Sequence, residues 1–235
     1  MARKKYFDSH LIPSKENFLE LIFFAHHLGF SGVGISIEKF ISDMETEQLR
    51  DFLRGHLQIL KNKIHLIFFI KLPKVSSLDE KLINFFQKEN IPYITFFVPK
   101  DEKNFERALR ARDITVISAD ISFLSEILAE KHINLIKQTK FSFLEIRIKK
   151  LLELKPPERA KIFGLFRRKV KLFEKVNERI LFGSGAEDIF QLISPRALRA
   201  IFLNLGLSEK TIIKMLSQNV LELLKCPQGA ILIEK

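Results

Sequence analysis

The chain has 235 residues, 46% of them apolar, and a formal net charge of +11. This length suits one large α/β domain, and the apolar content is enough for a sizeable core. The single cysteine, Cys226, excludes an internal disulfide framework and is typical of a reducing compartment. No uncharged apolar run reaches the length of a membrane span, and MARKKYF does not lead into a secretory signal, so we expect a soluble cytoplasmic protein.

The positive charge is concentrated in one fifth of the chain. Residues 1–136 contain 19 Lys and Arg against 18 Asp and Glu, and residues 183–235 contain 6 against 5. Residues 137–182 contain 14 against 5. A basic block of this kind indicates a polyanionic partner, most economically a phosphate backbone, although a Lys-rich solvated surface would have the same composition.

Strand-like apolar runs alternate with helical patterns along the first half of the chain. After a short run at residues 6–7, Ser14 is predicted to cap a helix that Gly29 ends. A second helix is predicted at residues 46–60, and a third follows Ser77, which forms a capping box with Glu80. The strands predicted around these helices are residues 32–37, 64–73 and 93–99.

The same alternation continues through the second half. Helices are predicted at residues 101–113, 122–139 and 157–177, although residues 132–137 also have the composition of a strand. Strands are predicted at residues 114–120, 141–148 and 179–186, and two helices follow, the second capped by Ser208. Seven or eight strands alternating with helices, without G-x-G-x-x-G after the first strand, predict an α/β fold, a TIM-like (β/α) barrel of parallel strands. We predict a single domain over residues 1–235, with a basic segment at 137–182 and C-terminal helices at 195–225.

Asp8-Ser9-His10 raises the possibility of a metal site. If the first strand ends near Phe7, Asp8 and His10 lie at the C-terminal mouth of the barrel, where such enzymes keep their active sites. A divalent metal needs three or more converging ligands, and Asp120 is the best-placed third ligand. The other histidines are poorly placed. We therefore favour hydrogen bonding of Asp8 and His10 within the turn over a metal site formed by Asp8, His10 and Asp120.

Two further features carry weaker signals. Cys226 has no histidine close in sequence to act as a base, so we interpret it as structural. Gly-Ser-Gly at residues 183–185 follows a late strand, where barrel loops often bind phosphate through backbone N–H groups. A tight turn that needs glycine at positive φ explains the same sequence equally well.

The basic helix is the most specific feature. One apolar stripe is predicted to pack on the barrel: Ile162, Phe166, Val170, Phe173 and Val176. Seven cations project around and away from it: Arg159, Lys161, Arg167, Arg168, Lys169, Lys171 and Lys175. This arrangement suits phosphate contacts without base readout. No aromatic residues interleave with the cations, so duplex or folded RNA is a better match than single-stranded bases.

The order of segments resembles a known family over about residues 6–224. Five segments carry the resemblance: the first strand YFD, the unit HLGFSGVGIS, the strand FLEIRI with Arg147, the helix PPERAKIFGLFRR and the turn SGA followed by a Pro/Arg pair. In this order they are similar to the archaeal and eukaryotic ribonuclease P protein component 3, the thirty-kilodalton subunit family. Two departures stand out. Family members commonly have Arg-x-Pro after the turn, whereas here Pro195 precedes Arg196, and metal-dependent relatives have His-x-His at strand 1, whereas the second position here is Ile12.

The resemblance implies a barrel related to the polymerase-and-histidinol-phosphatase superfamily without its metal centre. It also implies a subunit of the ribonucleoprotein that removes 5′ leaders from precursor tRNA, with catalysis by the RNA. On this basis the chain binds no cofactor itself, magnesium serves the RNA-catalysed reaction, and the partners are ribonuclease P RNA, ribonuclease P protein component 2 and, through the holoenzyme, precursor tRNA.

Our leading hypothesis is therefore an RNA- and protein-binding subunit without catalytic residues of its own. The predicted RNA-binding residues are Arg147, Arg159, Lys161, Arg167, Arg168, Lys171, Lys175 and Arg196. Two rivals are a metal-dependent phosphoesterase of the polymerase-and-histidinol-phosphatase type, using Asp8, His10 and Asp120, and a barrel that binds a small phosphorylated ligand through Ser184 and Gly185. Stoichiometric zinc or manganese, lost when His10 becomes Ala, would favour the first rival.

Overall fold

The structure is a computed structural model that describes residues 5–60, 64–71, 84, 86–88, 93–111, 114–139 and 142–225. The predicted capping box of Ser77 and Glu80 lies outside the described residues, as does Cys226. Among the described helices, none is both long and apolar enough to cross a membrane.

The described strands form one parallel sheet in the order β1 to β7, each strand paired with the next along the chain. Their near-continuous burial matches the apolar runs of the sequence, because helices cover the outer face of a parallel barrel. A parallel bridge between Leu11 and Ala186 brings the first and last strands together, so the barrel is nearly closed. The predicted TIM-like barrel is confirmed. The strands are β1 Phe7–Leu11, β2 Gly32–Ser36, β3 His65–Lys71, β4 Tyr93–Phe97, β5 Val116–Asp120, β6 Phe143–Arg147 and β7 Ile180–Gly183.

The described α-helices lie between and after these strands. They are α1 Phe18–His27, α2 Glu38–Asp43, α3 Thr46–Leu60, α4 Glu102–Arg110, α5 Ile121–Ile127, α6 Glu130–Gln138, α7 Lys149–Glu153, α8 Pro156–Glu174, α9 Pro195–Asn204, α10 Glu209–Ile213 and α11 Asn219–Leu224. The predicted caps at Gly29 and Ser208 are confirmed, since Gly29 has φ of +103° and the Ser208 hydroxyl accepts the Thr211 N–H. Residues 132–137 belong to α6 and not to an eighth strand.

Several local predictions were wrong. Ser14 does not cap α1, because that helix begins after Asn17, whose side chain instead accepts the Ser14 N–H at 2.8 Å. The short helices α2 and α7 were not predicted, since five or six residues are too few for a period of 3.6 to appear. The predicted last helix is divided by a π-helical stretch, Lys214–Gln218, between α10 and α11.

The core has two parts. The larger part fills the space between the strands and their helices. The smaller part lies inside the barrel, where Phe7, Phe69 and Phe96 pack with Val220 and Leu223 of α11. The C-terminal helix is therefore part of the barrel core, and the rest of the interior is left for the polar side chains described next.

Candidate nucleic-acid interface

A buried polar cluster lies inside the barrel. We call Ser9, His10, Ser118 and Glu145 the interior cluster; all four are at most 1% exposed. Nδ1 of His10 lies 2.8 Å from Oε2 of Glu145, which also accepts the Ser118 hydroxyl, while the Ser9 hydroxyl donates to Oε1 at 2.5 Å. Burial opposes ionisation of Glu145, but His10 and the two hydroxyls outweigh it and lower the pKa of this carboxyl.

Sequence reasoning missed the interior cluster. Glu145 is a charged residue in the middle of FLEIR, a strand that is otherwise apolar before Arg147, and that is the one signal the sequence carried. Glycine at position 183 is explained by the same cluster. A Cβ there would lie 2.6 Å from Cβ of His10 and 2.9 Å from the Glu145 carboxyl, so no larger residue fits.

Asp8 also lies inside the fold and not at the barrel mouth. The prediction that the first strand ends near Phe7 was wrong, because β1 continues to Leu11. One carboxylate oxygen of Asp8 accepts the Ser184 N–H at 2.9 Å and the His10 N–H at 3.1 Å. Burial raises the pKa of Asp8 to about 6, and these hydrogen bonds only partly offset it. Asp8 therefore ties β1 to the turn after β7.

The proposed ligands Asp8, His10 and Asp120 are not brought together. Asp120 lies at the mouth, where its Oδ2 is 3.3 Å from both Arg147 and Lys150. The three residues do not form a ligand group in the described part of the chain, where the group close enough to hold a metal ion consists of Glu102, Glu106 and His132.

The chemistry of this second group does not fit a metal. Nζ of Lys131 already occupies it, 2.6 Å from Glu102 and 2.8 Å from Glu106. Nδ1 of His132 accepts the Ala129 N–H at 3.2 Å, so Nε2 carries the ring proton and has no lone pair for a cation. Burial lowers the pKa of His132, which keeps the ring neutral. We interpret the group as an ion-pair cluster that joins α4 to α6.

The barrel mouth is a cleft of about 550 Å³ whose charges largely neutralise one another. Lys71 lies 2.7 Å from Glu38, and Lys149 lies 2.5 Å from Glu187. An anionic ligand that used Lys71 or Lys149 would have to displace their carboxylate partners. The charged residues that line the cleft are Glu38, Lys71, Lys100, Asp120, Arg147, Lys149, Lys150, Glu153 and Glu187.

The Gly-Ser-Gly turn offers no free N–H groups to a phosphate. The Ser184 N–H donates to Asp8, the Gly185 N–H to the His10 carbonyl at 2.8 Å, and the Ala186 N–H to the Ser184 hydroxyl at 3.0 Å. Gly185 has φ of +68°, so a turn that requires glycine accounts for it. The donors expected of a phosphate site are instead used to hold β7 against β1.

Helix α8 presents its apolar stripe to the barrel as predicted. Ile162, Phe166, Phe173 and Val176 are buried, and Val170 is partly buried. The rings of Phe166 and Phe173 stack with centroids 4.6 Å apart. This packing fixes which side chains of α8 can reach a partner.

Two predicted RNA-binding arginines of α8 are hydrogen-bonded to the protein itself. Arg159 donates from one terminal nitrogen to the carbonyls of Leu152, at 3.0 Å, and Leu154, at 2.9 Å. Arg167 donates to the carbonyl of Asn204, at 3.2 Å from Nε and 2.8 Å from a terminal nitrogen. Both arginines satisfy carbonyls at the ends of neighbouring helices.

Two lysines of this region also have partners. Lys169 donates to the carbonyl of Leu128, and Lys175 forms an ion pair with Glu130. Arg147 lies at the mouth with Asp120, as described above. The prediction that all the cations of α8 project away from the barrel was therefore wrong for Lys169, which is directed at the loop before α6.

Three cations of α8 have no hydrogen bond or ion pair with any described residue. We call Lys161, Arg168 and Lys171 the unpaired face of α8; all three are exposed. They are seven and three residues apart, which places them on one side of the helix over about 15 Å at 1.5 Å per residue. Arg196 on α9 is likewise exposed and without a partner among the described residues.

The fold and these surfaces define a class of protein: a parallel barrel whose interior polar residues are closed to solvent and whose surface helix α8 carries exposed cations without a described partner. Comparisons agree with this class. A sequence model of the family described as RNase P subunit p30 matches residues 79–228. The chain therefore belongs to the RNase P subunit p30 family, and its function is that of a ribonuclease P subunit.

Solved structures support the fold. A chain of the cryo-EM structure of archaeal ribonuclease P with mature tRNA is similar with a TM-score of 0.64 and 17% identity, over 97% of this chain and 98% of that one. Dihydroorotase from Campylobacter jejuni has a TM-score of 0.56 and 15% identity, over 95% and 84%. Amidohydrolase 2 from Bifidobacterium longum has a TM-score of 0.50 and 10% identity, over 94% and 98%. No curated protein sequence matches significantly.

Proposed function

We propose that this ribonuclease P subunit binds RNA through the unpaired face of α8. The observation that carries the proposal is the division among the cations of one helix. Arg159 and Arg167 of α8, and Lys175 directly after it, are held by other parts of the chain, whereas Lys161, Arg168 and Lys171 have no partner among the described residues. An unpaired surface cation can neutralise a phosphate and release a counterion without first breaking an internal contact.

Internal hydrogen bonds and ion pairs leave fewer cations available for RNA than the sequence predicted. Seven of the eight predicted residues lie on three elements, with Arg147 at the mouth and Arg196 on α9, and Lys175 directly follows α8. Among them, the unpaired face is the set that combines exposure, one helix face and freedom from internal partners. The similar chain from archaeal ribonuclease P comes from a structure with tRNA, which supports association with RNA and tRNA.

We propose further that the RNA carries out catalysis and that the isolated chain has no cleavage activity. The interior cluster is closed to substrate, since His10 and Glu145 are 0% exposed. The group of Glu102, Glu106 and His132 is occupied by Lys131. These findings disfavour the phosphoesterase alternative. We propose likewise that the magnesium of the reaction is held by the RNA and not by this chain.

The test compares two triple variants with the same loss of charge. One is Lys161→Ala, Arg168→Ala and Lys171→Ala; the other is Arg159→Ala, Arg167→Ala and Lys175→Ala. Binding of the full chain to its cognate ribonuclease P RNA is measured over a range of salt concentrations. We expect the first variant to lower the slope of log K against log salt by roughly two to three, because about one unit is lost per phosphate contact.

The second triple variant is the control. Its net charge is the same, so a change in slope that came from overall charge alone would appear in both variants. We expect its slope to stay within about one unit of the wild type and its stability to fall. Equal slopes for the two variants would contradict the assignment of the unpaired face.

We also propose ribonuclease P protein component 2 as a protein partner, precursor tRNA as the substrate met through the holoenzyme, and the cytoplasm as the location. Family membership supports these three proposals. Co-purification from the source cells tests the proposed assembly. The full chain should bring down ribonuclease P RNA and a small protein, and recovery of neither would contradict the proposed assembly.

A further inference from the structure

Gly164 lies in the middle of the unpaired face. It is the ninth of the 19 residues of α8, three residues after Lys161 and four before Arg168. Residues three and four apart occupy one side of a helix, so Gly164 leaves a gap in the side-chain surface between these two cations. A glycine inside a helix costs about 1 kcal/mol relative to alanine. For glycine to be useful at this position, another interaction must offset this loss of helix stability.

The described part of the protein supplies no reason for this glycine. Gly164 is not among the described glycines with positive φ, which are Gly29, Gly185 and Gly206. Crowding does not explain it either. A Cβ at Gly34 would lie 2.1 Å from the Ser9 carbonyl oxygen, whereas a Cβ at Gly164 would meet no heavy atom of a described residue within 4 Å. The fold would therefore accept alanine here and gain stability.

We propose that Gly164 is the point at which the sugar–phosphate backbone of the RNA comes closest to α8. This inference rests on the proposed function of the unpaired face. Without a Cβ, the helix surface is lower at this position, so a backbone segment can lie against it. The ammonium of Lys161 and the guanidinium of Arg168 can then reach its phosphates from both sides, and Lys171 follows three residues beyond Arg168.

Gly55 in α3 provides a matched control. It too is inside a helix and lacks positive φ, and a Cβ there would meet no heavy atom of the described residues within 4 Å. Its neighbours four residues away are Asp51 and Ile59, which do not form a basic face. A helical glycine alone therefore does not indicate a close approach of RNA. The feature that indicates it is a helical glycine between two unpaired cations.

The experiment compares Gly164→Ala and Gly164→Leu with Gly55→Ala and Gly55→Leu in the full chain. The readouts are thermal unfolding and affinity for the cognate ribonuclease P RNA at several salt concentrations. Both alanine variants should melt at higher temperature than the wild type. We expect Gly164→Ala to weaken binding roughly threefold and Gly164→Leu roughly tenfold or more. The salt slope should change little because no cation is removed, and the Gly55 variants should bind as the wild type does.

Equal RNA affinity of the Gly164 and Gly55 variants would overturn this inference. If the triple variant of the unpaired face still lowers the salt slope in that case, the proposed function stands and only the close approach at Gly164 fails. If the triple variant also binds normally, both fail. Normal RNA affinity combined with loss of the small protein partner from Gly164→Leu would assign the surface to a protein and overturn the inference as well.

Discussion

The barrel interior and the outer side of α8 use charged residues in opposite ways. Inside, Glu145 contacts His10, Ser9 and Ser118, and each contact crosses from one strand to another. Outside, Lys161, Arg168 and Lys171 contact no described partner. A buried charge must be paired because it has lost its hydration, whereas an exposed cation keeps its water until a partner arrives. Pairing, and not charge alone, therefore distinguishes the residues that stabilise the fold from the residues that are available to RNA.

The largest effect should come from breaking the interior cluster. Glu145→Ala leaves His10 and the Ser118 hydroxyl without their acceptor, removes one of the two acceptors of the Ser9 hydroxyl and opens a space inside the barrel. We expect a loss of about 3–5 kcal/mol in the free energy of unfolding. Arg168→Ala, on the unpaired face, should change it by no more than about 0.5 kcal/mol. Urea unfolding of both variants measures the difference, and similar losses would contradict the distinction between the two regions.

The pH dependence of stability should isolate Asp8. Its pKa is about 6 in the folded protein and 3.8 as the ordinary value, so folding favours the protonated form. The contribution of Asp8 is therefore most favourable below about pH 4 and is lost as pH rises to about 6, with a total cost of roughly 3 kcal/mol.

Asp8→Asn removes this titration while its amide oxygen can still accept the Ser184 and His10 N–H groups. The variant should gain stability over the wild type between about pH 4 and 6, and the gain should be constant above that range. Urea unfolding at a series of pH values measures it. Glu145, whose lowered pKa makes stability fall at acidic pH, is present in both proteins, and its negative charge is one of the causes that raise the pKa of Asp8. A difference that is independent of pH would contradict the buried titration of Asp8.

Two neighbouring arginines, Arg167 and Arg168, test the same distinction with single substitutions and a smaller expected effect. Arg167 donates to the Asn204 carbonyl and Arg168 does not, although both are exposed residues of α8. Arg167→Ala should destabilise the protein by about 1 kcal/mol and leave the salt slope of RNA binding nearly unchanged. Arg168→Ala should leave the stability nearly unchanged and lower the salt slope of RNA binding. Identical behaviour of the two variants in unfolding and binding assays would show that internal pairing does not select the RNA-binding cations.

Much of the fold was predictable from local pattern. The apolar runs of β3 and β5 predict strands that are buried on both faces. The helical period of α3 and α8 predicts helices that are buried along one stripe, so neighbouring residues alone are enough to predict all four elements. The interior cluster was not predictable in this way. Ser9 and Glu145 are 136 residues apart, and nothing near either of them indicates the other. The early end predicted for β1 failed for the same reason, since polar residues at positions 8–10 are acceptable in a strand only because Ser184 and Glu145 meet them.

Local patterns in the sequence were enough to predict the barrel, the family resemblance and the concentration of positive charge in residues 137–182. Alternating patterns and composition are properties of short stretches, so they need no tertiary information. Only the tertiary structure decided which of those cations are available. The partners of Arg167 and Lys175 lie 37 and 45 residues away along the chain, and a carbonyl or carboxylate at that distance becomes a neighbour only when the helices pack.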